Sequence, residues 1–217
     1  MMTRLATAFL VSFALLAAIP LAAHAQPTQK WEVSFDVTGV LMHPSASADI
    51  AGMPVPGASA AVDNSVTATI DLAYFVTPNI AIDLYAGIPP KTAFKAAGSI
   101  GAIGTVATTR YGPAVLSLEY HFRGLGRWEP YVGAGVTYTA FFNTQGAALS
   151  NATLSNAWGG AIKAGVRYFI NPAWALHFYV QQVFVSTRLS AQLGPLPVSA
   201  KVTLDPTVIG AGFSYRF

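Results

Sequence analysis

Cysteine is absent from this chain of 217 residues, so neither a disulfide framework nor a thiolate metal site is available to it. Charge is scarce as well, with Asp, Glu, Lys and Arg making up only 10% of the residues. No Lys/Arg cluster forms a phosphate track, so the formal charge of +3 gives no basis for nucleic-acid binding. Past the N-terminal segment there is no apolar run long enough for a membrane-spanning helix, although hydrophobic residues make up 53% of the chain. A soluble domain this apolar and this poor in charge would be unusual.

The N-terminus is a separate unit. Arg4 is a short basic region, Leu5 to Leu21 is apolar, and Ala23-His24-Ala25 is a small-x-small cleavage site. Residues 1–25 therefore read as a secretory signal peptide, and Pro20 with the cleavage site weighs against an anchor. Residues 26–217 make one domain. Once Arg4 is removed, its acidic and basic residues nearly balance.

A β-barrel in a membrane resolves the contradiction in composition, because it needs apolar residues only at every second position. From Trp31 the chain alternates: Trp31, Val33, Phe35, Val37, Gly39 and Leu41 on one face, Glu32, Ser34, Asp36, Thr38, Val40 and Met42 on the other. A slip of one residue would put both carboxylates in hydrocarbon, so the register is firm. The same parity places Asp71, Asp83 and Tyr85, Glu119 and His121, Lys163 and Arg167, and His177, Tyr179 and Gln181 inward. Outward go Val66 to Tyr74, Ile80 to Leu84, Leu116 to Phe122, Val132 to Phe142, Ile162 to Ile170 and Trp174 to Val180, each at alternate positions.

Between these runs lie turns and loops. Thr77-Pro78-Asn79 and Asn171-Pro172-Ala173 are tight turns, and Arg123 to Glu129 is a short Gly-containing one. His43–Asn64, Lys91–Tyr111, Asn143–Ala157 and Ser190–Ala200 read as long loops. The expected fold is all-β: an eight-stranded antiparallel transmembrane β-barrel with four long extracellular loops and three short periplasmic turns. Trp31, Tyr74, Phe122, Tyr131, Tyr168, Trp174 and Phe217, near the short turns, suit an interfacial girdle. A lipocalin-like soluble barrel would reverse the sense, with apolar residues inside.

Arg127-Trp128-Glu129-Pro130-Tyr131-Val132-Gly133-Ala134-Gly135-Val136-Thr137-Tyr138 resembles a stretch of the OmpW family of Gram-negative outer membrane proteins. So do Ala157-Trp158-Gly159-Gly160, Gly165-Val166-Arg167-Tyr168-Phe169-Ile170-Asn171, Leu204-Asp205-Pro206 and the closing Gly212-Phe213-Ser214-Tyr215-Arg216-Phe217. The resemblance implies residence in the outer membrane and contact with its lipid and lipopolysaccharide. It implies a conduit for small hydrophobic molecules, released sideways into the outer leaflet; the alternative is a structural or receptor barrel without transport. It also makes Phe213, Tyr215 and Phe217 a signal read by the outer-membrane assembly machinery, and Trp158 part of an apolar constriction. Parity points Trp158 outward, so an inward role would need a bulge at Gly159-Gly160.

The inward charges are Glu32, Asp36, Asp71, Asp83 and Glu119 against Lys163, Arg167 and Arg216. An eight-stranded barrel is about wide enough for side chains to fill, so these groups are expected to pair as a plug, with Arg216 serving acids such as Glu32. His43-Pro44-Ser45 has a histidine beside a serine, but no acid is fixed by spacing and no catalytic site is expected. His121 and His177 lack metal-ligand spacing, and neither metal nor cofactor is implied. The long loops carry Ile50, Met53 and Val55, Phe94, and Leu193 and Leu196, apolar residues that with Trp158 are the candidate lining of a pocket for an apolar ligand.

Overall fold

The computed structural model describes residues 29–217, and the signal peptide expected over 1–25 lies outside the described residues. In chain order the strands are β1 (Trp31–Leu41), β2 (Ser45–Ile50), β3 (Met53–Pro54), β4 (Ala58–Val62), β5 (Ser65–Phe75), β6 (Ile80–Gly87) and β7 (Lys91–Gly98). They continue as β8 (Thr105–His121), β9 (Trp128–Gly146), β10 (Ser150–Leu154), β11 (Ala157–Phe169), β12 (Trp174–Leu193), β13 (Leu196–Thr203) and β14 (Thr207–Arg216).

Eight of these strands close on themselves in the order β1, β5, β6, β8, β9, β11, β12, β14, every neighbour antiparallel. The seam is the pairing of the first strand with the last. It ends in a backbone pair, Phe217 N–H to the Trp31 carbonyl at 2.8 Å and Trp31 N–H to the Phe217 carbonyl at 3.0 Å. With no free edge, the barrel strands pair their backbone groups on both sides along the ladders, the condition for crossing a bilayer.

Parity decides the faces. In β1 the odd-numbered residues are outward, Phe35 and Val37 most exposed at 60% and 67%, while Glu32, Ser34, Asp36 and Thr38 are buried. Around the rim of the short turns, three Trp–Tyr pairs sit directly across neighbouring strands: Trp31–Tyr74, Trp128–Tyr168 and Trp174–Tyr215, each with centroids 4.8 Å apart. Aromatic rings of this kind anchor a barrel at the interface. Tyr131, expected in that girdle, is instead buried inside the barrel, because it shares parity with Gly133 and Thr137.

The four long connections are not loops over most of their length. They fold into β2 to β4, β7, β10 and β13, and these hairpins pair with each other or with extensions of β8, β9 and β12 beyond the apolar band. Alternation continues through them: Val106, Leu149, Leu189 and Val202 turn inward and bury. Apolar side chains thus hold the wall together above the membrane, where polar loops would have splayed.

Candidate functional site

The lumen is filled. At its periplasmic end Arg216 donates to Glu32 at 2.8 Å and to Glu129 at 2.5 and 3.0 Å, while its guanidinium lies over the Phe75 and Phe169 rings at 4.6 and 4.7 Å. Glu129 meets His121 Nδ1 at 3.0 Å, and His121 Nε2 meets Glu119 at 3.2 Å. Glu119 is 3.1 Å from the Lys163 ammonium, which also donates to Asp83 at 3.0 Å and closely to Asp71. Arg167, fully buried, pairs closely with Glu32. One connected ionic network therefore crosses the barrel from Arg216 to Lys163.

Above it lies an aromatic layer. Tyr131 stacks between His121 and His177, with centroids 5.1 and 5.9 Å away, and its hydroxyl is 2.8 Å from His177 Nε2. His177 Nδ1 is 3.0 Å from Asp36. Tyr179 stacks on the far side of His177 and reaches Thr38 at 2.9 Å. Asp36, Asp71 and His177 bring a ligand atom each within 4.8 Å of one another. Both His177 nitrogens are already engaged, however, so holding an ion there would break a hydrogen bond.

All eight ionic residues read from parity lie in this network or in contact with it. Glu129 is the member that sequence reasoning missed: placed in a turn, it is 6% exposed in β9. Parity with Gly133 and Thr137 was the available signal. Its gain is electrostatic, since Arg216, buried against two aromatic rings, needs more than Glu32 to offset its desolvation.

Beyond the aromatic layer the lumen opens into a small, largely apolar pocket at the barrel mouth. Val40, Val183, Val185, Leu204, Pro206 and Val208 form one side, and Gly87, Ile88, Pro90, Tyr111 and Pro113 the other. That second side coincides with a break in the wall. The β6–β8 ladder stops at Ala86–Ala114, and pairing resumes between β7 and β8 at Lys91–Arg110. Pro89, Pro90 and Pro113 fall in between and have no N–H to donate, so the bonds across that gap are the Arg110 guanidinium to the Pro89 carbonyl at 3.2 Å and a 3.4 Å contact from Tyr111 N–H to the Pro90 carbonyl, in place of a regular ladder.

The candidate pocket residues do not gather into one site. Ile50 and Leu193 line a separate apolar cavity higher in the extracellular hairpins, and Phe94 is buried in the core over the mouth. Met53 and Leu196 face out at hairpin tips, 69% and 43% exposed, and Val55 borders neither cavity. Trp158 points away from the lumen and is 72% exposed. The ladders on both sides of it run without a register shift, so no bulge turns it inward. It stacks with its cross-strand partner Tyr138 at 4.8 Å and belongs to the outer aromatic rim. Ser45 is exposed on β2, and the His43 ring turns to the Asp205 carbonyl at 3.3 Å.

A closed barrel with this girdle and this plugged interior can be set beside known proteins. The OmpW family profile matches residues 32–217. The chain belongs to the OmpW family. Within that family, it is 37% identical over 188 residues to outer membrane protein AlkL of Ectopseudomonas oleovorans, covering 86% of this chain and 82% of that one. It is 31% identical over 202 residues to the dibenzothiophene metabolism operon protein PahQ of Pseudomonas aeruginosa, covering 91% and 95%. The solid-state NMR structure of AlkL in DMPC bilayers superposes with a TM-score of 0.71 at 35% identity, over 92% of this chain and 95% of that one. As an OmpW-family barrel, the protein resides in the outer membrane, its long hairpins extracellular and its short turns periplasmic.

Proposed function

We propose that this barrel is a passive conduit that passes small hydrophobic molecules across the outer membrane and releases them sideways. The observation that carries the reading is the position of the mouth pocket. Its floor is the aromatic layer over a packed ionic plug, so an apolar molecule in the pocket has no axial way down. Its side is the proline-interrupted stretch between β6 and β8, where the regular backbone ladder lapses between Ala86–Ala114 and Lys91–Arg110. An apolar solute moving from the pocket into the outer leaflet exchanges one apolar environment for another and needs no energy input. The operon name carried by PahQ, which refers to dibenzothiophene, is in keeping with an apolar cargo.

Val183, buried in the pocket wall, and Val180, outward on the same strand, provide the test. Liposomes carrying the barrel should take up an apolar dye faster than empty ones, and Val183→Trp should abolish the gain while Val180→Trp keeps it. Equal rates in barrel-bearing and empty liposomes would remove the reading and favour a structural or receptor barrel.

A further inference from the structure

The pocket is mostly apolar, and Gln181 stands at its floor. Gln181 follows Tyr179 on the inner face of β12, opposite Val208 of β14 and Lys163 of β11, at the boundary between the ionic network and the apolar mouth. It is 1% exposed, and neither its amide nitrogen nor its amide oxygen has a hydrogen-bond partner within the protein. Of the other polar groups on the lining, Thr67 donates to the Ile88 carbonyl at 2.6 Å and Tyr111 is paired with Ser65 at 3.0 Å, while Tyr85 and Thr139 offer single hydroxyls. A buried amide left unpaired is costly, and a leucine or methionine would fill the same place without that cost.

From this we infer that Gln181 is a specificity-determining residue that hydrogen-bonds the single polar group of an otherwise apolar ligand. The inference rests on the conduit reading and narrows its cargo. A primary amide offers one donor face and one acceptor atom side by side, which a hydroxyl matches with its own acceptor and donor. The head group is neutral. A carboxylate lowered onto the amide would be buried without a partner, since Lys163, Arg167 and Arg216 are already held by Asp71, Glu32 and Glu129. The ligand class is thus a small neutral amphiphile, an alcohol or a comparable oxygenated hydrocarbon, held head down with its tail along Val183, Leu204 and Val208. A plain hydrocarbon of the same length fits the walls but leaves the amide unpaired.

The test uses the isotope-labelled full barrel in lipid nanodiscs, titrated with octanol, octane and octanoate while the side-chain amide signals and the pocket methyl signals are followed. Octanol should shift the Gln181 amide saturably and bind about tenfold more tightly than octane, the value of one neutral hydrogen bond. Octanoate should bind more weakly than octanol, and Gln181→Met should bring octanol to the level of octane. Octane binding as tightly as octanol, or a preference that survives Gln181→Met, would overturn the inference and mean that the amide is satisfied by water alone. If no methyl of Val183 or Leu204 responds to any of the three, the pocket takes no ligand and the conduit reading fails with it. Octane binding without a preference would sink only this inference.

Discussion

Tyr179 lies across Gly210, its partner on the neighbouring strand, so closely that a Cβ on that glycine would fall 2.1 Å from the ring. Tyr131 and Gly165 repeat the relationship at 2.5 Å. Each glycine supplies the space in which a lumen tyrosine lies flat, and the two rings are the layer that separates pocket from plug. Gly210→Ala should therefore tilt Tyr179, break its bond to Thr38 and destabilise the barrel by about 1–3 kcal/mol. Denaturant titration in lipid vesicles reads the change, and an unaltered midpoint would contradict it.

Glu129 offers a second prediction. It holds Arg216 and His121 at once, and removing one partner of a buried ion pair strands the other charge. Glu129→Ala should cost about 3–5 kcal/mol. Glu32→Ala and Glu129→Ala should be strongly non-additive, since both serve the same guanidinium. Additive losses would show that the two acids act independently.

Trp158 tests the corrected rim assignment. Trp158→Ala should lower stability in lipid by about 1–2 kcal/mol, through the lost Tyr138 pair and interfacial area, and leave dye uptake at the wild-type rate. Reduced uptake with unchanged stability would return the residue to the pathway.

The terminal aromatics Phe213, Tyr215 and Phe217 face outward at the seam and are proposed as the assembly signal. Deleting Phe217 removes one backbone pair with Trp31 but leaves the β1–β14 ladder intact from Glu32–Arg216 onward. The inserted fraction in cells should fall sharply while the unfolding midpoint of the inserted molecules moves little. Full insertion of the shortened chain would refute the signal.

Most of the barrel was legible because parity is a strong signal wherever one face meets lipid and the other a charged interior. Glu32, Asp36, Asp71 and Lys163 each fixed a register that the neighbouring Phe, Val and Ile residues repeated. Parity reports a face, though, and neither the height along the barrel nor where a strand begins. Glu129 and Tyr131, at the start of β9, were therefore misplaced into a turn and a girdle. Above the membrane the contrast fades, since small residues such as Ala46, Ala60, Ala96 and Ala200 serve on strands as readily as in loops. Those segments looked like loops, and their apolar residues looked like one pocket when Ile50, Phe94 and Leu196 stand apart. Gln181 was legible as inward, while its lack of a partner is a property of packing that no pattern in the chain displays.

The most direct test of sideways release over a closed lumen is one measurement on one sample. Liposomes bearing the wild-type barrel and loaded with a small water-soluble dye are mixed with an apolar dye, and both signals are followed together. The account predicts accelerated transfer of the apolar dye into the bilayer with no leakage of the water-soluble one beyond that of empty liposomes. Leakage of the water-soluble dye, with or without apolar uptake, would mean an open axial channel and contradict it.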